Sequence, residues 1–148
     1  MIKFKSTNDM PINKYKNQNN TEKLVYPKLS YDLCGIMFGI HNNLGRYCSE
    51  LQYGDALEKA LQDRKIKYNR ELFLKECFEG EKPRRNKVDF LIDNKIIVEL
   101  KCRTFLSKEE YFQVKRYLIS AKKRLGLLVN FREKYLKPRR ILNPQVIN

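Results

Sequence analysis

Two extended stretches separated by Asp93-Asn94 constrain this chain more than any other feature. Lys87–Ile92 and Lys95–Lys101 are rich in Val, Ile, Leu and Phe, and an Asp-Asn step between such runs favours a tight hairpin turn. Side chains alternate along a strand, so Glu99 and Lys101 share one face while Val98 and Leu100 share the other. Asp89 lies on the hairpin partner, and its carboxylate can approach Glu99 in a suitable register. Two carboxylates at that distance repel, and one takes up a proton unless a cation lies between them. A hard divalent cation such as Mg²⁺ resolves the conflict, because it binds oxygen ligands and can share phosphate oxygens with a substrate. Lys101 would then orient an attacking water and offset charge in a phosphorane-like transition state. A plainer reading stands beside this one: Asp, Glu and Lys on a strand frequently form a solvated face with a cross-strand ion pair.

The rest of the chain supplies helices. Leu33, Ile36, Met37 and Ile40 recur at helical spacing from Leu29 onward, and Asn42-Asn43-Leu44-Gly45 reads as a helix end. The spacing predicts a second helix from Tyr47 to Arg64, with Tyr53, Leu57, Ala60 and Leu61 on one stripe. Glu50 falls on that stripe, where a carboxylate needs a partner, or else it occupies a first turn favoured by the helix dipole. Ile66–Arg70 and Leu72–Phe78 read as extended, followed by a turn cluster from Glu79 to Pro83. Ser107 and Glu110 form a capping box opening a helix over Lys108–Arg124, which Gly126 is expected to end. Leu127–Phe131 and Arg139–Leu142 read as two further strands. This order predicts an α/β or α+β sheet flanked by helices.

With 148 residues the chain suits one domain, expected over residues 24–148 behind a polar tail at 1–23. Lys14 and Lys16 in that tail are candidates to touch a ligand. Lys plus Arg number 31 against 17 Asp plus Glu, and the resulting +14 makes a polyanion the first partner to consider. The positive segments lie around the acidic strands: Lys82, Arg84, Arg85 and Lys87 before them, Arg103 after, then Lys115-Arg116, Lys122-Lys123-Arg124 and Arg139-Arg140. Such a surface binds phosphates with strong salt dependence and little sequence preference. Basic runs on helices are also ordinary solvated faces. No apolar run approaches the roughly 20 residues of a membrane span. Met1–Lys5 has lysines with no apolar stretch after them, so a cytoplasmic protein is expected. Cys34, Cys48, Cys77 and Cys102 are widely spaced and the chain has one histidine, which favours reduced thiols over a zinc site.

Asp89…Glu99-Leu100-Lys101 resembles the PD-(D/E)xK nuclease signature, and the wider pattern resembles the small prokaryotic GxxExxY proteins. The resemblance runs from about Leu33 to Leu142. It takes in His41-Asn42-Asn43-Leu44-Gly45, Glu50-Leu51-Gln52-Tyr53, Ala56-Leu57, Ile97-Val98-Glu99-Leu100-Lys101, Gln113…Tyr117 and Gly126–Phe131. It implies a restriction-endonuclease-like α/β core with a central mixed β-sheet flanked by α-helices. It further implies a metal-dependent nuclease acting on nucleic acid, DNA before RNA, with Mg²⁺ or Mn²⁺ held by Asp89 and Glu99. Lys101 falls on the motif lysine, Glu50 on a helical glutamate that adds a ligand directly or through water, and His41 on an upstream histidine that can ligate metal. Gln113 and Tyr117 match a Gln-x-x-x-Tyr element and share one helix face, bordering the site. Arg84, Arg85, Lys87, Arg103, Lys115 and Lys122 are the expected nucleic-acid contacts, and a homodimer is the assembly that would cut both strands. The initial glycine of the GxxExxY pattern is Tyr47 here, and the proline before the first acid is Val88. Two other outcomes remain: a non-catalytic nucleic-acid-binding module and a protein-interaction module that keep the same fold.

Overall fold

The computed structural model describes residues 24–146, so the tail expected at 1–23 lies outside the described residues. Helix α1 spans Pro27–Leu44 and begins on a proline, whose missing N–H is harmless in a first turn. It ends at Gly45, whose φ of 74° is a conformation that glycine reaches without strain. Helix α2 spans Glu50–Asp63, a later start than the apolar stripe predicts. The reason is local: Ser49 Oγ accepts from the Gln52 N–H at 3.2 Å, and Gln52 Oε1 accepts from the Ser49 N–H at 2.8 Å. That reciprocal cap makes Glu50 a first-turn residue.

Five strands follow in chain order: β1 (Tyr68–Phe73), β2 (Lys87–Ile92), β3 (Ile96–Lys101), β4 (Leu125–Asn130) and β5 (Arg139–Leu142). They lie side by side in that same order, and every pair is antiparallel except β3 with β4. The sheet is mixed, as expected. Asp93 and Asn94 both take left-handed backbone angles, φ 52° and 54°, which is why this dipeptide can close the β2–β3 hairpin. The two extended segments expected before the turn cluster merge into one strand, Tyr68–Phe73, and residues 74–78 form none. Its pairing ends at Phe73↔Lys87, where β2 begins, so the residues after Phe73 have no strand beside them.

Helix α3 spans Lys108–Ala121 and links β3 to β4. Its Ser107–Glu110 cap forms, but it ends earlier than expected, with Lys122 in a left-handed conformation at φ 54°. Gly126 is therefore no helix terminator; it lies inside β4. A Cβ there would sit 2.6 Å from Val114 Cγ1, so its missing side chain lets α3 pack directly on the sheet.

The core has two layers. On one face Leu33 and Met37 of α1 and Leu57 and Leu61 of α2 bury against Phe90, Val98, Leu100 and Val129. On the other, Val114 and Leu118 of α3 bury against Leu91, Ile97, Leu128 and Ile141. Each such side chain contributes about 1.5–3 kcal/mol when fully buried. The result is a restriction-endonuclease-like α/β fold with helices on both faces of the sheet. Among the described residues no helix is long and apolar enough to cross a membrane.

Candidate active site

The strand pairing determines where the site forms. β2 and β3 pair regularly from the turn as far as Phe90↔Val98. One residue further, side chains replace the backbone ladder. The Asp89 N–H donates to Glu99 Oε1 at 2.9 Å, and the Leu100 N–H donates to Asp89 Oδ2 at 2.8 Å. Each carboxylate satisfies the backbone of the opposite strand, which locks the two acids beside each other. On the other side of β2, Glu71 takes a φ of 52° opposite Asp89, and pairing resumes at Leu72↔Val88. Irregularities of this kind re-aim side chains next to a site.

Glu99 is only 3% exposed. Burial first, and then the neighbouring charge of Asp89, push its carboxyl well above the usual carboxylate range, against the Asp89 N–H bond and Lys101, which pull the other way. Lys101, on the same face two residues on, donates from Nζ to Gln113 Oε1 at 3.1 Å. Gln113 is thereby brought to the acids from α3. Tyr117 follows one turn later and is buried; burial and the charge of Glu99 raise its hydroxyl, Arg116 lowers it, and Asp89 raises it further. Asp89, Glu99, Lys101, Gln113 and Tyr117 therefore converge at one end of the sheet.

Glu50 reaches that end from α2. Its Oε1 accepts from the Cys102 N–H at 3.3 Å, immediately after β3, so its place on the helix stripe comes from a first-turn position and this bond. It does not close on the other two acids. Among the described residues no group of three His, Cys, Asp or Glu side chains stands close enough to hold a metal ion. The donor set that fits a hard cation is the Asp89–Glu99 pair, two carboxylates held side by side with one oxygen of each on a backbone N–H. His41 is elsewhere engaged, with Nε2 donating to the Glu133 carbonyl at 2.8 Å.

The basic residues divide by position. Arg84 places its guanidinium 4.2 Å from the centre of the Phe73 ring, and Lys87 lies 3.8 Å from Glu71; both, with exposed Arg85, border the start of β2 next to Asp89. Arg103 follows β3 and pairs through Nε with Glu110 Oε1 at 2.8 Å. Lys115 donates to the Leu142 carbonyl at 2.6 Å. Lys122 caps the far end of α3, and its neighbour Lys123 bonds Asn94 Oδ1 in the hairpin turn at 3.0 Å. That places Lys122 at the opposite end of the sheet from the acids.

Sequence reasoning missed Asn130. Buried at the end of β4 and paired with Lys101, it accepts from the Arg103 N–H at 2.9 Å and donates to the Arg103 carbonyl at 2.8 Å. It therefore ties down the chain that leaves the motif lysine. An asparagine closing the apolar run Leu127-Leu128-Val129 is a signal that could have found it.

A family model described as the PD-(D/E)XK nuclease superfamily matches residues 27–141, which covers both faces of the sheet and every residue converging on Glu99. No curated protein and no solved structure matches the chain. With the fold, the acid pair and the motif lysine all within the matched span, the chain belongs to the PD-(D/E)XK nuclease superfamily.

Proposed function

We propose that this protein is a divalent-metal-dependent nuclease of the GxxExxY type that hydrolyses phosphodiester bonds in nucleic acid, DNA before RNA. The observation that carries the reading is the Asp89–Glu99 pair, two acids locked side by side with one of them buried. A purely structural role is better served by neutral or oppositely charged partners, because like charges in a dry site work against folding. Asp89 and Glu99 would hold Mg²⁺ or Mn²⁺, with Glu50 supporting from α2. His41 stays with its backbone carbonyl. A divalent ion bound there supplies positive charge for a phosphate and lowers the pKa of a coordinated water.

The chain's own groups do the remaining work. Lys101, fixed by its bond to Gln113, orients the water and offsets charge that develops on the phosphate oxygens. Gln113 restricts the lysine to one of its many rotamers, so less ordering is needed at the moment of reaction. Tyr117, one turn after Gln113 on α3, stands near Glu99. Arg84, Arg85, Lys87 and Arg103 attract the polyanion, with a free energy that depends on salt.

The test uses purified protein with single-stranded DNA, duplex DNA and RNA, each in EDTA, Mg²⁺ or Mn²⁺, beside Lys101→Ala and Glu99→Ala. Metal-dependent cleavage by wild type that both variants lose supports the reading. Equal traces from wild type and variants would sink it, and binding without cleavage under any metal would establish the non-catalytic binding module instead.

A further inference from the structure

The turn between α1 and α2 is held unusually firmly. Tyr53 is fully buried, stacks on Phe131 with ring centres 4.2 Å apart, and sends its hydroxyl into this turn. There it donates to the Gly45 carbonyl at 2.5 Å and accepts from the Cys48 N–H at 3.2 Å. Both ends of the segment are fixed by one side chain, and Tyr47 between them is turned outward, 77% exposed.

Two arginines are locked around that ring. Arg46 Nε donates to the Arg132 carbonyl at 2.8 Å, and Arg132 Nε donates to the Arg46 carbonyl at 3.1 Å. Their guanidinium carbons lie 5.4 and 5.7 Å from the centre of the Tyr47 ring. Both cations lie over the ring at a distance that leaves Tyr47 largely open to solvent. Phe78 and Phe105 are also strongly exposed, but among the described residues no cation lies over either ring.

The location adds to the case. Arg132 lies just beyond β4, and Tyr47 lies three residues before Glu50, whose carboxylate bonds the Cys102 N–H at the end of β3. Because β3 and β4 are parallel and β2 is antiparallel to β3, these strand ends and the Asp89–Glu99 pair lie at the same end of the sheet. A flat, exposed ring on a turn held by Tyr53, with two backbone-anchored arginines beside it, matches an unpaired nucleobase and its neighbouring phosphates. A continuous duplex keeps its base faces stacked inside and offers only base edges in its grooves.

We propose that Tyr47, flanked by Arg46 and Arg132, stacks an unpaired nucleobase beside the acidic site, so that the substrate is single-stranded or frayed nucleic acid. The proposal rests on the nuclease reading for the identity of the polyanion and names the form in which it is bound. Its test measures binding without cleavage. In EDTA, fluorescence anisotropy follows a labelled oligothymidylate, an oligouridylate and a blunt duplex of equal length, with wild type, Tyr47→Ala and Tyr47→Phe. Tyr47→Ala is expected to weaken both single strands about tenfold, within the range that one base–aromatic stack carries, while Tyr47→Phe binds like wild type. Duplex binding is expected not to change, and the thermal melt of Tyr47→Ala should match wild type because the ring is exposed. Unchanged single-strand binding by Tyr47→Ala, an equal loss for duplex, or no single-strand binding by wild type would each overturn the proposal. Selective loss without any cleavage by wild type would leave the stacking platform standing and remove the nuclease reading. Cleavage with unchanged binding by Tyr47→Ala would do the reverse.

Discussion

Replacing Gly126 by alanine tests how α3 is held over the strand that carries Glu99 and Lys101. The new Cβ would meet Val114 Cγ1 at 2.6 Å and the Ile97 carbonyl and Leu118 Cδ1 at 3.6 Å each. Carbon atoms settle at about 3.5–4.0 Å, so the clash with Val114 demands a movement of roughly 1 Å. Val114 is fully buried and β-branched, with one strongly preferred rotamer in a helix, so the strain passes to α3. Overpacking of this kind costs about 1–3 kcal/mol. Alanine for glycine returns about 0.4–1 kcal/mol by restricting the unfolded chain, leaving a net loss of at most about 2.6 kcal/mol and centred on about 1.3 kcal/mol. At about 3 °C per kcal/mol for a chain of this size, the melting midpoint should fall by about 4 °C. Gln113 directly precedes Val114, so the same movement stretches the 3.1 Å bond from Lys101 Nζ and lowers cleavage. Thermal melts by circular dichroism and single-turnover cleavage read the two effects. Val114→Ala removes the clashing methyl, and the double variant should be more stable than the two single losses predict, by about 1 kcal/mol. A Gly126→Ala protein that melts and cuts like wild type, or strictly additive losses in the double variant, would refute the reasoning.

Glu99→Gln should stabilise the metal-free protein at neutral pH and above, because the raised folded-state pKa means that wild type must either keep a proton or bury a charge. Wild-type stability falls as pH rises from the ordinary carboxylate pKa of about 4.3 through the folded pKa, so the gain from glutamine shrinks as pH falls. Urea midpoints against pH in EDTA check the sign. Tyr53→Phe leaves the stack on Phe131 but removes the hydroxyl that bridges Gly45 and Cys48, and should cost about 1–2 kcal/mol in urea denaturation. Gln113→Ala should lower the single-turnover rate about 10–100-fold with oligonucleotide affinity unchanged, as expected for a group that supports a reacting side chain. Arg85→Ala should reduce the slope of log affinity against log salt by about one for all nucleic acids alike, measured by anisotropy titrations at several salt concentrations.

Local pattern made much of this architecture legible. Alternating apolar residues around Asp93-Asn94 specified β2, β3 and their turn, and the shared face of Glu99 and Lys101 followed from strand geometry alone. The Ser107–Glu110 cap marked the start of α3. Other elements were ambiguous because one residue type serves two purposes. Gly126 lacks a side chain both for a helix end and for a close helix approach, and only Val114 arriving from α3 distinguishes them. Glu50 lies on the helix stripe in either case, and the outcome depended on the Ser49–Gln52 cap and on the Cys102 N–H, which is distant in sequence. His41 has the chemistry of a metal ligand, yet a backbone carbonyl of Glu133 engages its ring.

By itself the sequence determined the period of each strand and helix, the turn that joins β2 to β3, and the three residue types, Asp89, Glu99 and Lys101, on which the chemistry depends. Those are local matters, decided by backbone angles and by alternation within about six residues. The tertiary structure alone decided that Glu99 is dry, that Asp89 and Glu99 each satisfy the other strand's backbone, and that Gln113 holds Lys101. Burial and hydrogen bonding between distant segments set the charge state of an acid. No window of sequence contains the helix that covers it.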